Sequence, residues 1–312
     1  YSILALTFIF LANNGLTVWF DWPGLKLLFA HHGLFGFKKL STPLESSVLN
    51  LSYIQLSFYF ISFIAVVYFV LRSINQTLET DAKILSNITA YIVRSSFWAV
   101  LIVGIVDFLI SFLVVEKLAE PIFNEAIKIN LVIPTFRITF IHFPLILISF
   151  VIGYFTRSVG FIWLAVLVVG SEFLIVLSRF IFEYEQAFQG DLVRFWYAAL
   201  YLFASAYALI HEGHVRVDVL YTGFSERKKA WTNAIGSFVF GIPLCLIILF
   251  LGMGGKASII NGPVISFEIT QQGSNGLYLL YLMAVYLAVF AVTMLIQFTS
   301  YFMDSSHKLL KN

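Results

Sequence analysis

The sequence predicts an all-α fold: a polytopic helical membrane protein of about eight transmembrane helices plus interfacial amphipathic helices. Three observations carry this expectation. Of 312 residues, 60% are hydrophobic and 12% charged, about half the charged share usual in soluble domains. The mean hydropathy is +0.91. The apolar runs are continuous rather than alternating. Backbone groups in lipid must be satisfied within the spanning structure, so continuous runs select helices over an outer-membrane barrel.

The spans fall, in order, at roughly 2–20, 51–71, 92–115, 131–155, 160–183, 192–211, 231–253 and 277–302. At about 1.5 Å of rise per residue, each covers the roughly 30 Å hydrocarbon core. The first is weakened by Asn13, Asn14 and Gly15. Between it and the second lies GLKLLFAHHGLFGFKK, residues 24–39, with Lys26, Lys38 and Lys39 among Leu and Phe. It is too short and too charged to span, and an interfacial helix is expected. A division near 156–160 separates a membrane extension of about four spans, residues 1–156, from a four-span domain, residues 157–312.

Orientation follows from the second half. Placing Arg157, Arg216, Arg227, Lys228, Lys229, Lys308 and Lys311 on the cytoplasmic side leaves only Arg179, Arg194 and Lys256 outside. The carboxyl terminus is then cytoplasmic. In the first half the same alternation puts Lys26, Lys38, Lys39, Lys117, Lys128 and Arg137 outside and only Arg72, Lys83 and Arg94 inside, against the positive-inside trend. Trp19, Trp22, Trp163, Trp196 and Trp231 fall near span ends, as an aromatic belt would place them. Pro134, Pro144 and Pro243 mark kinks.

The net charge of +2 gives no ground for a nucleic-acid partner, and the lone Cys245 excludes an intramolecular disulfide or a Cys-rich metal site. No Walker motif is present, so ATP hydrolysis is not expected of this chain. No cofactor is expected either. His142, in FIHFPLIL, could ligate haem only with a second membrane histidine facing it. Arg94, Asp107 and Glu172 lie inside predicted spans, where an unpaired charge costs several kcal/mol. Arg94 and Asp107 are too far apart along one helix to pair. Glu172 and Arg179 share a face, about 10 Å apart along the axis. These four are candidates for pairing between helices or with another subunit.

The most polar stretch is HEGHVRVDVLY, residues 211–221. An extended segment would put Val215, Val217 and Val219 on one face; a helix would align His214 with Asp218. The sequence leaves both conformations open. His211, His214 and Asp218 have a zinc-like spacing, but Arg216 lies in their midst. Downstream, Ser225 is an expected N-cap of the helix leading into span seven, with Glu226 in its first turn.

The stretch AYALIHEGHVRVDVLYTGFSERKKAWTNAIG resembles the small membrane subunit of tripartite ATP-independent periplasmic (TRAP) transporters, nearest the mannitol/chloroaromatic branch. The family's GHVRVDVLY hallmark is followed by an S-x-R-x-x-A-W run, matched by Ser225, Arg227, Ala230 and Trp231. Arg179-Phe180, Asp191, Glu268, Gly276-Leu277 and Gln297 match further family positions, whereas Tyr278 and Ala284 replace a Pro and a Lys. The resemblance covers about 157–312.

The resemblance implies a scaffold rather than an enzyme. It would brace a large, elevator-type membrane subunit in the bacterial inner membrane, for sodium-coupled uptake of an organic acid or similar solute delivered by a periplasmic substrate-binding protein. It implies that His214, Arg216 and Asp218 form a cytoplasmic connector contacting a partner or membrane lipids, and that Asp191 and Glu268 meet partners at the outer face. A membrane haem or electron-transfer subunit, or an independent transporter, is the alternative.

Overall fold

In the computed structural model, which describes residues 1–73, 75–156, 162–210, 221–269 and 276–311, all regular structure is helical and no strand occurs among those residues. Among the described residues, eight helices are long and apolar enough to cross a membrane. The expected fold class is therefore observed: the chain is an all-α, multi-pass membrane protein.

In chain order the helices are α1 (Ser2–Trp19), α2 (Gly24–His32), α3 (Ser46–Arg72), α4 (Leu78–Val115), α5 (Glu125–Leu131) and α6 (Pro134–Phe155). After these come α7 (Ile162–Phe182), α8 (Ala187–Ile210), α9 (Glu226–Gly252), α10 (Asn261–Ile265) and α11 (Leu280–Lys311). They fall into two compact units: Tyr1–Thr77 with Met253–Ala257, and Leu78–Gly252 with Ser258–Asn312. This packing boundary lies at Thr77, far from the expected division at 156–160, whose residues 157–161 fall outside the described ones.

In the first unit, α1 and α2 pack on α3. The polar residues that weaken span one serve as its anchors. Asn13 donates to the Gln55 carbonyl at 3.2 Å, and the fully buried Gln55 side chain donates to Thr17 Oγ1 at 3.2 Å and accepts from the Gly24 N–H at 2.8 Å. The interfacial helix is shorter than expected. Gly33, at φ +66°, ends it with a left-handed C-cap that bonds back to Ala30 and Phe29.

In the second unit α4 and α11 form the centre. Helix α6 packs on α4, α8 packs on both α4 and α11, and α9 lies on α11. Helix α7 packs chiefly on α8. The core runs through Phe97, Val100, Val103, Phe195, Ala199, Phe203 and Tyr286. Close approach is set by small residues, as in other membrane helix pairs. A Cβ on Gly104 would lie 2.7 Å from Trp196 Nε1, and Trp196 donates to the Val100 carbonyl at 3.3 Å. Trp196 is thus a core residue, only 6% exposed, and not a member of the expected aromatic belt. Trp19, Trp163 and Trp231 are exposed.

Pro144 and Pro243, each inside a membrane-spanning helix, share one device. In α6, residues Ile138–His142 form a π-helical turn, and Phe143, just before Pro144, donates to the Ile138 carbonyl five residues back. In α9, Gly236–Gly241 do the same, with Ile242 before Pro243 donating to Ser237. Proline lacks a donor and its ring meets the carbonyl four residues earlier. Widening the preceding turn by one residue relieves both problems and keeps the helix intact. Ser225 precedes α9 as expected, but its side chain makes no capping bond.

Candidate functional site

The second unit holds a buried polar cluster near one end of its bundle. Asp107 lies eight residues, about 12 Å, before the end of α4. Arg137 is in the first turn of α6 and His142 closes its π turn. Tyr278 precedes α11, and Tyr281 lies in its first turn. Three helix ends therefore meet at one depth.

The cluster is closed on itself. Asp107 Oδ1 accepts from Arg137 Nη1 at 2.9 Å and from His142 Nε2 at 3.0 Å, while Oδ2 accepts the Tyr278 N–H at 2.8 Å. Arg137 also donates from Nη1 to Ser111 Oγ at 2.9 Å and from Nε to the Leu131 carbonyl at 3.0 Å. Its guanidinium lies 3.9 Å from the Tyr278 ring centroid, a cation–π contact. The Tyr278 hydroxyl donates to the Val132 carbonyl at 3.0 Å. His142 Nδ1 lies 3.1 Å from the Tyr281 hydroxyl. With Nε2–H donating to the carboxylate, Nδ1 accepts from tyrosine, and one neutral tautomer satisfies both bonds.

Asp107, Arg137 and His142 are at most 1% exposed. Buried charges persist when paired and hydrogen-bonded, and both conditions hold. The chemistry is that of a clasp: it ties α4 and α6 to the segment that starts α11. His142 has neither ring nitrogen free to bind iron, so the haem alternative has no ligand at this position.

A second carboxylate works beside the first. Asp191, expected at the outer face, is 4% exposed, and its Oδ2 accepts the Leu277 N–H at 3.1 Å. Arg194 lies 3.7 Å from its Oδ1. Asp191 and Asp107 thus hold the successive N–H groups of Leu277 and Tyr278 at the positive end of α11, where negative charge is favoured.

The end of α7 is fastened in the same region. Glu116 accepts from the Tyr184 hydroxyl at 2.6 Å and from the Gln186 amide, and Gln189 donates to Ser178 Oγ at 2.7 Å. Arg179 pairs with Glu185 and not with Glu172. Several of these residues line a cleft of about 160 Å³ with Phe112.

The remaining predicted residues are dispersed. Arg94, half-buried, donates to the Gly153 carbonyl at 3.4 Å rather than to an acid. Glu268 is exposed, and its backbone carbonyl accepts the Tyr281 N–H at 3.1 Å. Glu172 is exposed on α7. His214, Arg216 and Asp218 lie outside the described residues. Sequence reasoning missed Arg137, which it counted as a topological charge, and the backbone donors of Leu277 and Tyr278. Among the described residues no group of three or more His, Cys, Asp and Glu could hold a metal.

Comparison with known families gives one finding. Residues 166–303 match the family described as Tripartite ATP-independent periplasmic transporters, DctQ component. The match begins within α7, takes in α8, α9 and α10, and ends within α11. No curated protein and no solved structure matches the chain.

Proposed function

We propose that the chain is the small membrane subunit of a TRAP transporter. The observation that carries this reading is the family match at 166–303, which takes in four membrane helices in order. In this reading the subunit is a non-moving scaffold in a bacterial inner membrane, with its carboxyl terminus in the cytoplasm. It braces a large elevator-type subunit that carries out sodium-coupled uptake of an organic acid or similar solute, delivered by a periplasmic binding protein.

The clasp supports a scaffold rather than an independent carrier. A carrier needs polar groups that exchange partners as the solute passes, often on broken helices near the midplane. Asp107, Arg137 and His142 are instead spent on one another and on the start of α11. His214, Arg216 and Asp218 are proposed as the cytoplasmic contact with the large subunit or with lipid headgroups, and Glu268 as a contact on the outer face.

Reconstitution in proteoliposomes tests the reading. The chain alone gives no uptake, whereas the chain with its large subunit and binding protein takes up solute under a sodium gradient. Uptake by the chain alone would replace this reading with that of an independent transporter.

A further inference from the structure

Helix α7 presents an ionisable side chain where the bilayer offers it no partner. Glu172 is central in Ile162–Phe182, with about 15 Å of helix on either side, which puts it at the middle of the hydrocarbon layer. One side of α7 is occupied: Leu164 and Ser171, on the side packed against the bundle, are 3% and 4% exposed. Glu172 lies about 100° around the helix from Ser171 and is exposed. Val169 and Val176, one turn to either side, are 68% and 46% exposed, and the adjacent Phe173 is 60% exposed.

Lipid can cover the valines and the phenylalanine, but it cannot satisfy a carboxyl group. Arg179, two turns along the same stripe, is held by Glu185. Among the described residues no side chain bonds to Glu172. The stripe is therefore apolar surface built around one acceptor that lacks a donor.

We propose that the Val169–Glu172–Val176 stripe is the seat of a transmembrane helix from the large subunit, and that this helix carries a hydrogen-bond donor (an arginine, lysine or histidine, or a hydroxyl or amide side chain) near the bilayer midplane. Charge complementarity selects this occupant over a second copy of the chain. A two-fold contact on this stripe sets Glu172 against Glu172, with no cation to separate them. The inference rests on the small-subunit reading and adds to it the helix face and the chemistry of the partner.

Co-expression with the large subunit tests it, using Glu172→Leu, Glu172→Gln and a Glu172→Cys variant for crosslinking in native membranes. Leucine is the ordinary residue for a lipid-facing site, so the isolated Glu172→Leu chain stays monodisperse, with a thermal midpoint equal to or above wild type. Its recovery with the large subunit falls about tenfold or more. Glu172→Gln keeps an acceptor and loses less. The Glu172→Cys variant crosslinks to the large subunit through its new thiol. Undiminished recovery of Glu172→Leu, or no crosslink from Glu172→Cys while the complex forms, would overturn the inference and leave the small-subunit reading standing. Crosslinks between two copies of this chain would overturn the choice of occupant. Failure of the wild-type chain to co-purify with the large subunit would overturn the reading beneath it.

Discussion

Asp107 and Arg137 form a buried ion pair, 2.9 Å apart, that joins α4 to α6. Neither side chain is more than 1% exposed, and each has further partners that direct it. A buried pair of this kind contributes little over a well-packed apolar pair, yet losing one member strands the other. The relationship sets what each substitution should do.

Asp107→Ala leaves the Arg137 charge and the Tyr278 N–H buried without their acceptor. The expected loss is about 3–5 kcal/mol, read as a lower thermal unfolding midpoint in detergent or nanodiscs. Arg137→Ala strands Asp107 and costs a similar amount. The double variant Asp107→Leu/Arg137→Met removes both charges and should recover much of the loss. The recovery is incomplete because the Tyr278 N–H remains without an acceptor. Strict additivity of the two single effects would show that the pair is not the coupling element.

Asp191→Ala frees the Leu277 N–H, which is also buried. The expected cost is about 1–3 kcal/mol. Asp191→Asn keeps an acceptor and should cost less, since the 66%-exposed Arg194 side chain gains little from the charge. Hydrogen exchange at the start of α11 reports the same change locally: amides at 277–281 should exchange faster in the alanine variant. Unchanged exchange there would remove Asp191 from the anchoring of this helix.

The eight spans were legible because a continuous apolar run has one physical outcome in lipid. The pairing of Asp107 with Arg137 was within reach as well. One lies eight residues before the end of a predicted span and the other six residues after the start of the next, so antiparallel packing brings them to one depth. Counting Arg137 as a topological charge hid this. The Tyr278 and Leu277 donors carry no side-chain signature, and every residue but proline has such a group. Trp196 was ambiguous for another reason. A tryptophan near a span end suits both a headgroup belt and a core, and what decides is the missing Cβ of Gly104 on the neighbouring helix.

Gly153→Val tests the close approach of α6 to α4. A Cβ at Gly153 would lie 2.9 Å from Ser95 Cα and 3.0 Å from Ser95 N. These are backbone atoms, so no rotamer change relieves the contact. Helix propensity alone favours replacing glycine, by up to about 1 kcal/mol. Overpacking costs about 1–3 kcal/mol, and separating the helices also breaks the Arg94 bond to the Gly153 carbonyl. The net effect should be destabilising, read as a lower thermal midpoint. A midpoint above wild type would mean that the helices part at little cost.

Truncation decides where the folding unit of the matched region begins. The family match starts at residue 166, which alone suggests that a chain starting near 157 should fold. The packing argues otherwise. Helix α4 is central to the second unit, against α11, α6 and α8, and Val93, Phe97, Val100 and Val103 are core residues. Asp107 and Ser111 hold Arg137, and Asp107 holds the Tyr278 N–H. Cutting at 156 removes these residues, takes Val93, Phe97, Val100 and Val103 out of the core that also holds Phe195, Phe203, Leu279 and Tyr286, and leaves Trp196 without the Val100 carbonyl to which it donates. Cutting at 77 removes no member of that core. A chain of 78–312 should therefore run as a monodisperse species on size exclusion, with a cooperative thermal transition close to that of the full chain. A chain of 157–312 should aggregate or melt without cooperativity. Equal behaviour of the two truncations would show that α4 and α6 are attached to the matched domain rather than part of its core.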